Sequence, residues 1–168
     1  MTTVLLLTKG TDDSDETFLQ YIDDWFNNTN MSIVVLDSSQ SPIRCKIADS
    51  ERFEFLWLPN KTKKINGYTK SLSILKAHNK SRLFKYASFI LKITGMPFLF
   101  NIVHSIKDIP PNAEIIHQNK SKSSKIFGWA KYLTYCIYDI TDKQLNLKNH
   151  LYEQRNHFKT FYINIDKI

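Results

Sequence analysis

The sequence predicts an α/β domain with a mainly parallel sheet and helices on both faces. Short continuous apolar runs at 4–7 and 33–36, and an almost unbroken one at 98–103, read as strands buried on both sides. Stretches of helical spacing lie between them. With 168 residues, 42% hydrophobic and 13% aromatic, the chain can bury one sizeable core and does not require two. Residues 1–168 are therefore expected to form a single domain.

Val4, Leu5, Leu6 and Leu7 form the first expected strand, which ends at Thr8-Lys9-Gly10. Asp13 and Glu16 then have capping-box spacing, and Phe18, Tyr21, Ile22, Trp25 and Phe26 give the following helix one buried face. The second strand is 33–36, and Phe53, Phe55 and Trp57, with Leu56 and Leu58, mark a third. Strand, helix, strand in this order opens a doubly wound sheet. A connector occupies 38–49.

A helical pattern runs over 71–93 through Leu72, Leu75, Leu83, Phe84, Ala87, Ile90 and Leu91, with a break expected near 78–81. Phe98, Leu99, Phe100, Ile102 and Val103, opened by Gly95 and Pro97, read as the central strand. His104 then stands at its exit, where open α/β sheets bind ligands. Pro110 and Pro111 make a loop. A helix over 124–135, a strand over 136–140, a polar helix over 142–157 and a last alternating strand over 160–165 complete the pattern.

The formal charge of +7 hides an asymmetry along the chain. Asp12, Asp13, Asp15, Glu16, Asp23, Asp24 and Asp37 face Lys9 alone in the first forty residues. From Phe55 to Lys107 there is no acid, against Lys61, Lys63, Lys64, Lys70, Lys76, Lys80, Arg82, Lys85, Lys92 and Lys107. Such a block attracts phosphates on nucleic acid, on anionic lipid or on a substrate. The acids at 12–16 read as a helix start, where carboxylates complement free N–H groups, rather than as a metal site.

Other classes are excluded by what the sequence lacks. Cys45 and Cys136 have no C-x-x-C partner and no His at ligand spacing, so no zinc site or disulfide framework is expected. The phosphate-binding and hydrolase motifs G-x-x-x-x-G-K-[ST], G-x-G-x-x-G, G-x-S-x-G and H-E-x-x-H are absent. No stretch approaches the roughly 20 apolar residues of a membrane crossing, and MTTVLLLTKG lacks the basic flank of a signal peptide. The expected location is the cytoplasm.

The segment GMPFLFNIVHSIKDIPPN is similar to a segment of GT-B glycosyltransferases of the bacterial exopolysaccharide type, in which a strand ends in a T-V-H-N-like turn before a proline-containing loop. Ile102, Val103, His104 and Ser105 occupy that turn. Downstream, Thr141 and Asp142 resemble the family's Ser/Thr turn, and Asn164 and Asp166 its N-x-D-like turn. The resemblance implies a Rossmann-like N-terminal domain that binds the acceptor, completed by a donor-binding domain or subunit. His104 would act there as base or electrostatic contact to the reacting sugar, with Lys9, Gly10 and Thr11 on the opposite wall and Ser105, Thr141 and Asp142 at the substrate. No cofactor or metal is implied, the nucleotide sugar being a donor substrate. The acceptor would be a saccharide or lipid-linked sugar, and Lys61, Lys63 and Lys64 would meet its diphosphate or an anionic membrane at the cytoplasmic face. Two other readings stand beside it. One is a nucleic-acid-binding module that uses the basic tract with Tyr68, Phe84, Tyr86 and Phe89. The other is an assembly or regulatory protein without a ligand.

Overall fold

A computed structural model describes residues 2–59, 67–118, 125–134 and 160–163. In chain order these form β1 (Thr3–Thr8), α1 (Asp15–Asn28), β2 (Ser32–Asp37), β3 (Phe53–Trp57), α2 (Gly67–Lys80), α3 (Arg82–Tyr86) and β4 (Phe89–Thr94). There follow α4 (Phe100–Lys107), β5 (Ile115–Gln118), β6 (Ile126–Ala130), a 3-10 turn (Lys131–Leu133) and β7 (Thr160–Ile163). All strands join one sheet in the order β3-β2-β1-β4-β6-β5-β7. Neighbours are parallel except at β6, which runs antiparallel to both β4 and β5. The architecture is a mixed, mostly parallel Rossmann-like α/β fold.

The central strands are buried on both faces, as continuous apolar runs require: Leu5, Leu6, Ile33, Val34, Ile90 and Leu91 have no exposed surface. Helices cover the two sides. On one, α1 places Phe26 edge-to-face on Phe53, with centroids 5.4 Å apart. The next residue of β3, Glu54, points to the other face. There Ser81 Oγ donates to Glu54 Oε2 at 2.6 Å, and the backbone N–H groups of Arg82 and Leu83 donate to the same carboxylate at 3.2 and 3.3 Å. Glu54 thus caps α3 from the sheet and fixes the break between α2 and α3.

Local chemistry explains both ends of α1. Ser14 Oγ accepts from Thr17 N at 3.0 Å, so the N-cap falls one residue after the expected Asp13. No basic residue lies in the last turn; instead Arg52 arrives from the β2–β3 connector. Its guanidinium donates to the carbonyls of Phe26 and Thr29 at 2.8 and 2.9 Å and lies 3.8 Å over the Phe26 ring.

The first three strands, the first helix, the break at Ser81 and a strand at Thr160–Ile163 agree with the sequence reading. Three elements differ. The expected helix over 71–93 ends at Tyr86, and Phe89–Thr94 is a central strand. Phe89, Ile90 and Leu91 are all fully buried, which suits a strand covered on both faces and not an amphipathic helix. The expected central strand at 98–103 is instead a loop leading into α4. The spacing Phe98, Leu99, Ile102, Val103, Ile106 is that of one helical face, with Phe100, Asn101, His104 and Lys107 exposed. The expected helix over 124–135 is β6 and the 3-10 turn. A Cβ at Gly128 would meet Phe89 Cε1 at 2.6 Å and Leu91 Cδ1 at 2.9 Å, so glycine here makes room for those two side chains on the face of the β4–β6 pair. Strand β5 has no counterpart in the sequence reading, and the elements expected over 136–140 and 142–157 lie outside the described residues.

Replacing Glu54 with Ala strands three donors at the α2–α3 junction. It is expected to cost about 3 kcal/mol, a fall in melting temperature of roughly 10 °C. His78 supplies a second test. Burial, with the charge of Lys131, holds its imidazole below the ordinary value, so the unfolded chain binds the extra proton more readily. This contribution to stability is complete above the ordinary histidine pKa of about 6.5 and is lost as pH falls below it. Thermal melts between neutral and mildly acidic pH should show a decline that His78→Gln reduces.

Candidate functional site

Strands β1 and β4 lie side by side, yet the chain leaves them in opposite directions: β1 leads through α1 to β2, and β4 through α4 to β5 on the far side. Divergence of this kind opens a crevice at the carboxyl ends of the strands, the usual ligand position in open α/β sheets. The two exits are stitched together. Gly95 N donates to the Thr8 carbonyl at 2.9 Å, and the Thr8 and Thr94 hydroxyls are 2.9 Å apart.

Beyond this point the backbones nearly touch. Gly95 has φ +51°, and a Cβ there would lie 2.8 Å from Gly10 Cα and 3.0 Å from Gly10 N. Gly95 is thus required twice, by its left-handed conformation and by the close approach. Asp13 Oδ2 seals the seam, accepting from Gly10 N at 2.8 Å.

Three ammonium groups surround it. Lys9 pairs with Asp15 at 2.5 Å, Lys92 donates to Thr94 Oγ1 at 2.8 Å, and Lys125 donates to the Gly95 carbonyl at 3.2 Å. Below the seam an apolar recess is lined by Leu7, Phe18, Tyr21, Trp25, Ile93 and Met96. Trp25 Nε1 donates to the Met96 carbonyl at 3.1 Å, and Phe98 packs edge-on against Trp25 at 5.2 Å. The exit loop of β4 is therefore held firmly on α1. At the neighbouring exit of β2, the buried Asp37 accepts from Ser39 N and Ile43 N, both at 2.9 Å, and pins the 38–49 connector.

Of the residues singled out in the sequence, Lys9 and Gly10 belong to this crevice, and Thr11 is exposed on the same loop. His104 and Ser105 lie elsewhere. His104 is on the exposed face of α4, about 6 Å along the helix axis from its first residue. It is not the first residue beyond a buried strand. The Ser105 hydroxyl donates back to the Asn101 carbonyl at 2.9 Å within the helix. Thr141, Asp142, Lys61, Lys63 and Lys64 lie outside the described residues. Sequence reasoning misses Lys92, Thr94 and Gly95 at this site because β4 reads as helix, and Lys125 because β6 does. The signal was present in the alternation of Leu91 and Ile93 with Lys92 and Thr94, followed by glycine. Burial pushes the Cys45 thiol up, with Asp23 and Asp49 adding to the effect, so it is not an activated nucleophile.

No protein-family model and no curated protein matches the chain. Solved structures do. One is the crystal structure of a glycosyltransferase involved in the glycosylation of the major capsid of PBCV-1, with TM-score 0.57 and 9% identity, over 96% of this chain and 80% of that one. Another is Rv0371c from Mycobacterium tuberculosis H37Rv, with TM-score 0.61 and 10% identity, over 98% of this chain and 88% of that one. At these identities the likeness is one of fold alone, a mixed and mostly parallel α/β architecture. No helix among the described residues is long and apolar enough to cross a membrane.

Gly95→Ala tests the seam. The left-handed conformation and the contact with Gly10 together should cost about 3 kcal/mol in urea unfolding. An unchanged midpoint would mean that the two exits part without penalty.

Proposed function

We propose that the chain is a sugar-transferring domain that binds the diphosphate of its substrate at the Gly10–Gly95 seam. The observation that carries this reading is the grouping of Lys9, Lys92 and Lys125 around a backbone crossing at the topological switch point. The fold shared with a glycosyltransferase supports the reaction class. Diphosphates join sugars both to nucleotide donors and to lipid-carried acceptors, so one chemistry serves two sources. In the first arrangement this domain holds the nucleotide sugar. In the second it is the acceptor-binding half of a GT-B-type enzyme, and another domain or subunit supplies the donor. The chain spans 80% of the PBCV-1 glycosyltransferase, which leaves that neighbour no second domain of this size and favours the first arrangement.

In transfer, an acceptor hydroxyl oxygen bonds to the anomeric carbon as the bond from that carbon to the diphosphate oxygen breaks, and the hydroxyl proton passes to a base. Negative charge grows on the departing diphosphate. Ammonium groups already fixed at the crevice stabilise that charge without reorganising. In this reading His104, displaced along α4, has no part in holding the diphosphate.

Calorimetric titration of the chain with uridine, guanosine and cytidine diphosphates, and separately with farnesyl diphosphate, tests the proposal. Binding of a nucleotide supports the donor arrangement, and binding of farnesyl diphosphate alone supports the acceptor arrangement. In either case Lys125→Gln should weaken affinity about tenfold, while His104→Ala leaves it unchanged. Failure of both ligand classes, or indifference to Lys125→Gln, removes the reading.

A further inference from the structure

The strands beyond β1 extend the crevice toward the edge of the sheet. Thr94, Thr8, Leu36 and Leu56 form one row across the carboxyl ends of β4, β1, β2 and β3. Trp57, paired with Asp37, stands one residue beyond that row, at the level of Lys9 and Gly95. Side chains alternate along β3, so Trp57 shares the face of Phe53, whose ring meets Phe26 of α1. The recess under the seam is lined by Phe18, Tyr21 and Trp25 of the same helix, which puts the indole and the seam on one side of the sheet. Of the three tryptophans, Trp25 and Trp129 are buried, whereas Trp57 is 43% exposed. It is held in place all the same. Its Nε1 donates to the Ser39 carbonyl at 3.0 Å, and the hydroxyl and N–H of Ser39 donate to Asp37 Oδ1 at 2.6 and 2.9 Å. The one donor of the indole is thus spent on the connector, and what it presents to solvent is ring surface.

We infer that Trp57 is a stacking platform for the base of a nucleoside diphosphate whose phosphates lie at the Gly10–Gly95 seam. This role rests on the diphosphate reading of the seam and deepens it, because it selects a nucleotide over a lipid-carried diphosphate. Neighbouring strands lie about 4.8 Å apart, so in the order β3-β2-β1-β4 the ring stands about 10 Å from the exit of β1 and about 14 Å from that of β4. A ribose and one phosphate bridge a gap of that order, with the base at one end and the second phosphate at the other. Every base has a π-face to lay on an aromatic ring, whereas an isoprenoid chain gains no such stacking. The bond to Ser39 fixes the indole beforehand, so little side-chain freedom is lost when a base settles on it. A tryptophan needed only to fill the core would be covered as Trp25 and Trp129 are.

Tryptophan fluorescence and calorimetry on the whole chain provide the test, with uridine diphosphate, guanosine diphosphate, inorganic pyrophosphate and farnesyl diphosphate as probes. Because Trp25 and Trp129 are buried, quenching by a base reports Trp57. Both nucleotides should quench the wild type, and pyrophosphate should not. Trp57→Ala should weaken nucleotide binding about tenfold and leave pyrophosphate affinity unchanged, which also shows that the crevice is folded. Trp57→Phe keeps a stacking ring and loses the bond to Ser39. It should bind nucleotides nearly as the wild type does while the quenching disappears. A ring that only anchors the connector would make Phe as damaging as Ala. The stacking role alone falls, with the diphosphate reading intact, if pyrophosphate binds as tightly as the nucleotides or if Trp57→Ala leaves nucleotide affinity unchanged. It falls in the same way if farnesyl diphosphate binds and the nucleotides do not. If no diphosphate binds, both readings fall. Self-association that Trp57→Ala abolishes, with nucleotide affinity untouched, would assign the exposed ring to a second copy of the chain and overturn the stacking role.

Discussion

The meeting of Gly10 and Gly95 sets the geometry on which the rest of the crevice depends. Two strand exits that turn in opposite directions must pass within van der Waals distance, because their strands are hydrogen-bonded neighbours along their full length. Side chains at both positions would push the exits apart and tear the last rung of the ladder. Two glycines allow the approach, and Asp13 fills the space that their absent Cβ atoms leave. Its carboxylate satisfies Gly10 N while starting the turn into α1, so sheet closure and helix entry share one residue. The crevice is a consequence of this crossing.

How much of this was legible in the sequence depended on whether burial and periodicity told the same story. In the first third they did. Val4–Leu7 is apolar throughout, Phe18, Ile22 and Trp25 keep helical spacing, and acids precede that helix. In the middle they conflicted. Leu83, Phe84, Ala87, Ile90 and Leu91 fit a helical stripe because a short helix and a fully buried strand follow each other almost without a gap. Phe98 to Val103 fits a buried strand only while Phe100 is assumed to be inside. It is 70% exposed, and no local property of the sequence announces that. The same exchange hid half of the crevice. Lys9 and Gly10 follow a strand whose apolar run is plain in the sequence, whereas Thr94 ends, and Gly95 follows, one whose pattern reads as helix.

Charge is divided between the two ends of the sheet by topology more than by composition. The parallel strands β1 and β4 both bring their carboxyl ends to the crevice, where the acids that begin α1 sit among lysines. Lys9 and Asp15 neutralise each other there at modest energetic gain, since both remain partly solvated. At the other end α2 and α3 return the chain to the start of β4 and leave Lys80 and Lys85 with no acid nearby in sequence. The crevice is therefore polar and mixed in sign, and at the far end Lys80, Lys85 and Lys131 outnumber Glu114.

The reversed strand links both ends. In a wholly parallel sheet the neighbour of β4 would bring its carboxyl end to the crevice and its amino end to the far edge. β6 does the opposite. Its entry residue, Lys125, arrives at the crevice, where the Lys125 carbonyl accepts from Thr94 N at 2.8 Å and its ammonium donates to Gly95. Its exit places Lys131 and Tyr132 against the end of α3. One antiparallel insertion thus supplies a cation to one end of the strands and Lys131 with Tyr132 to the other. Gly128 leaves room on one face of that insertion for the Phe89 ring and the Leu91 side chain, both of which would have to shift if a Cβ stood there.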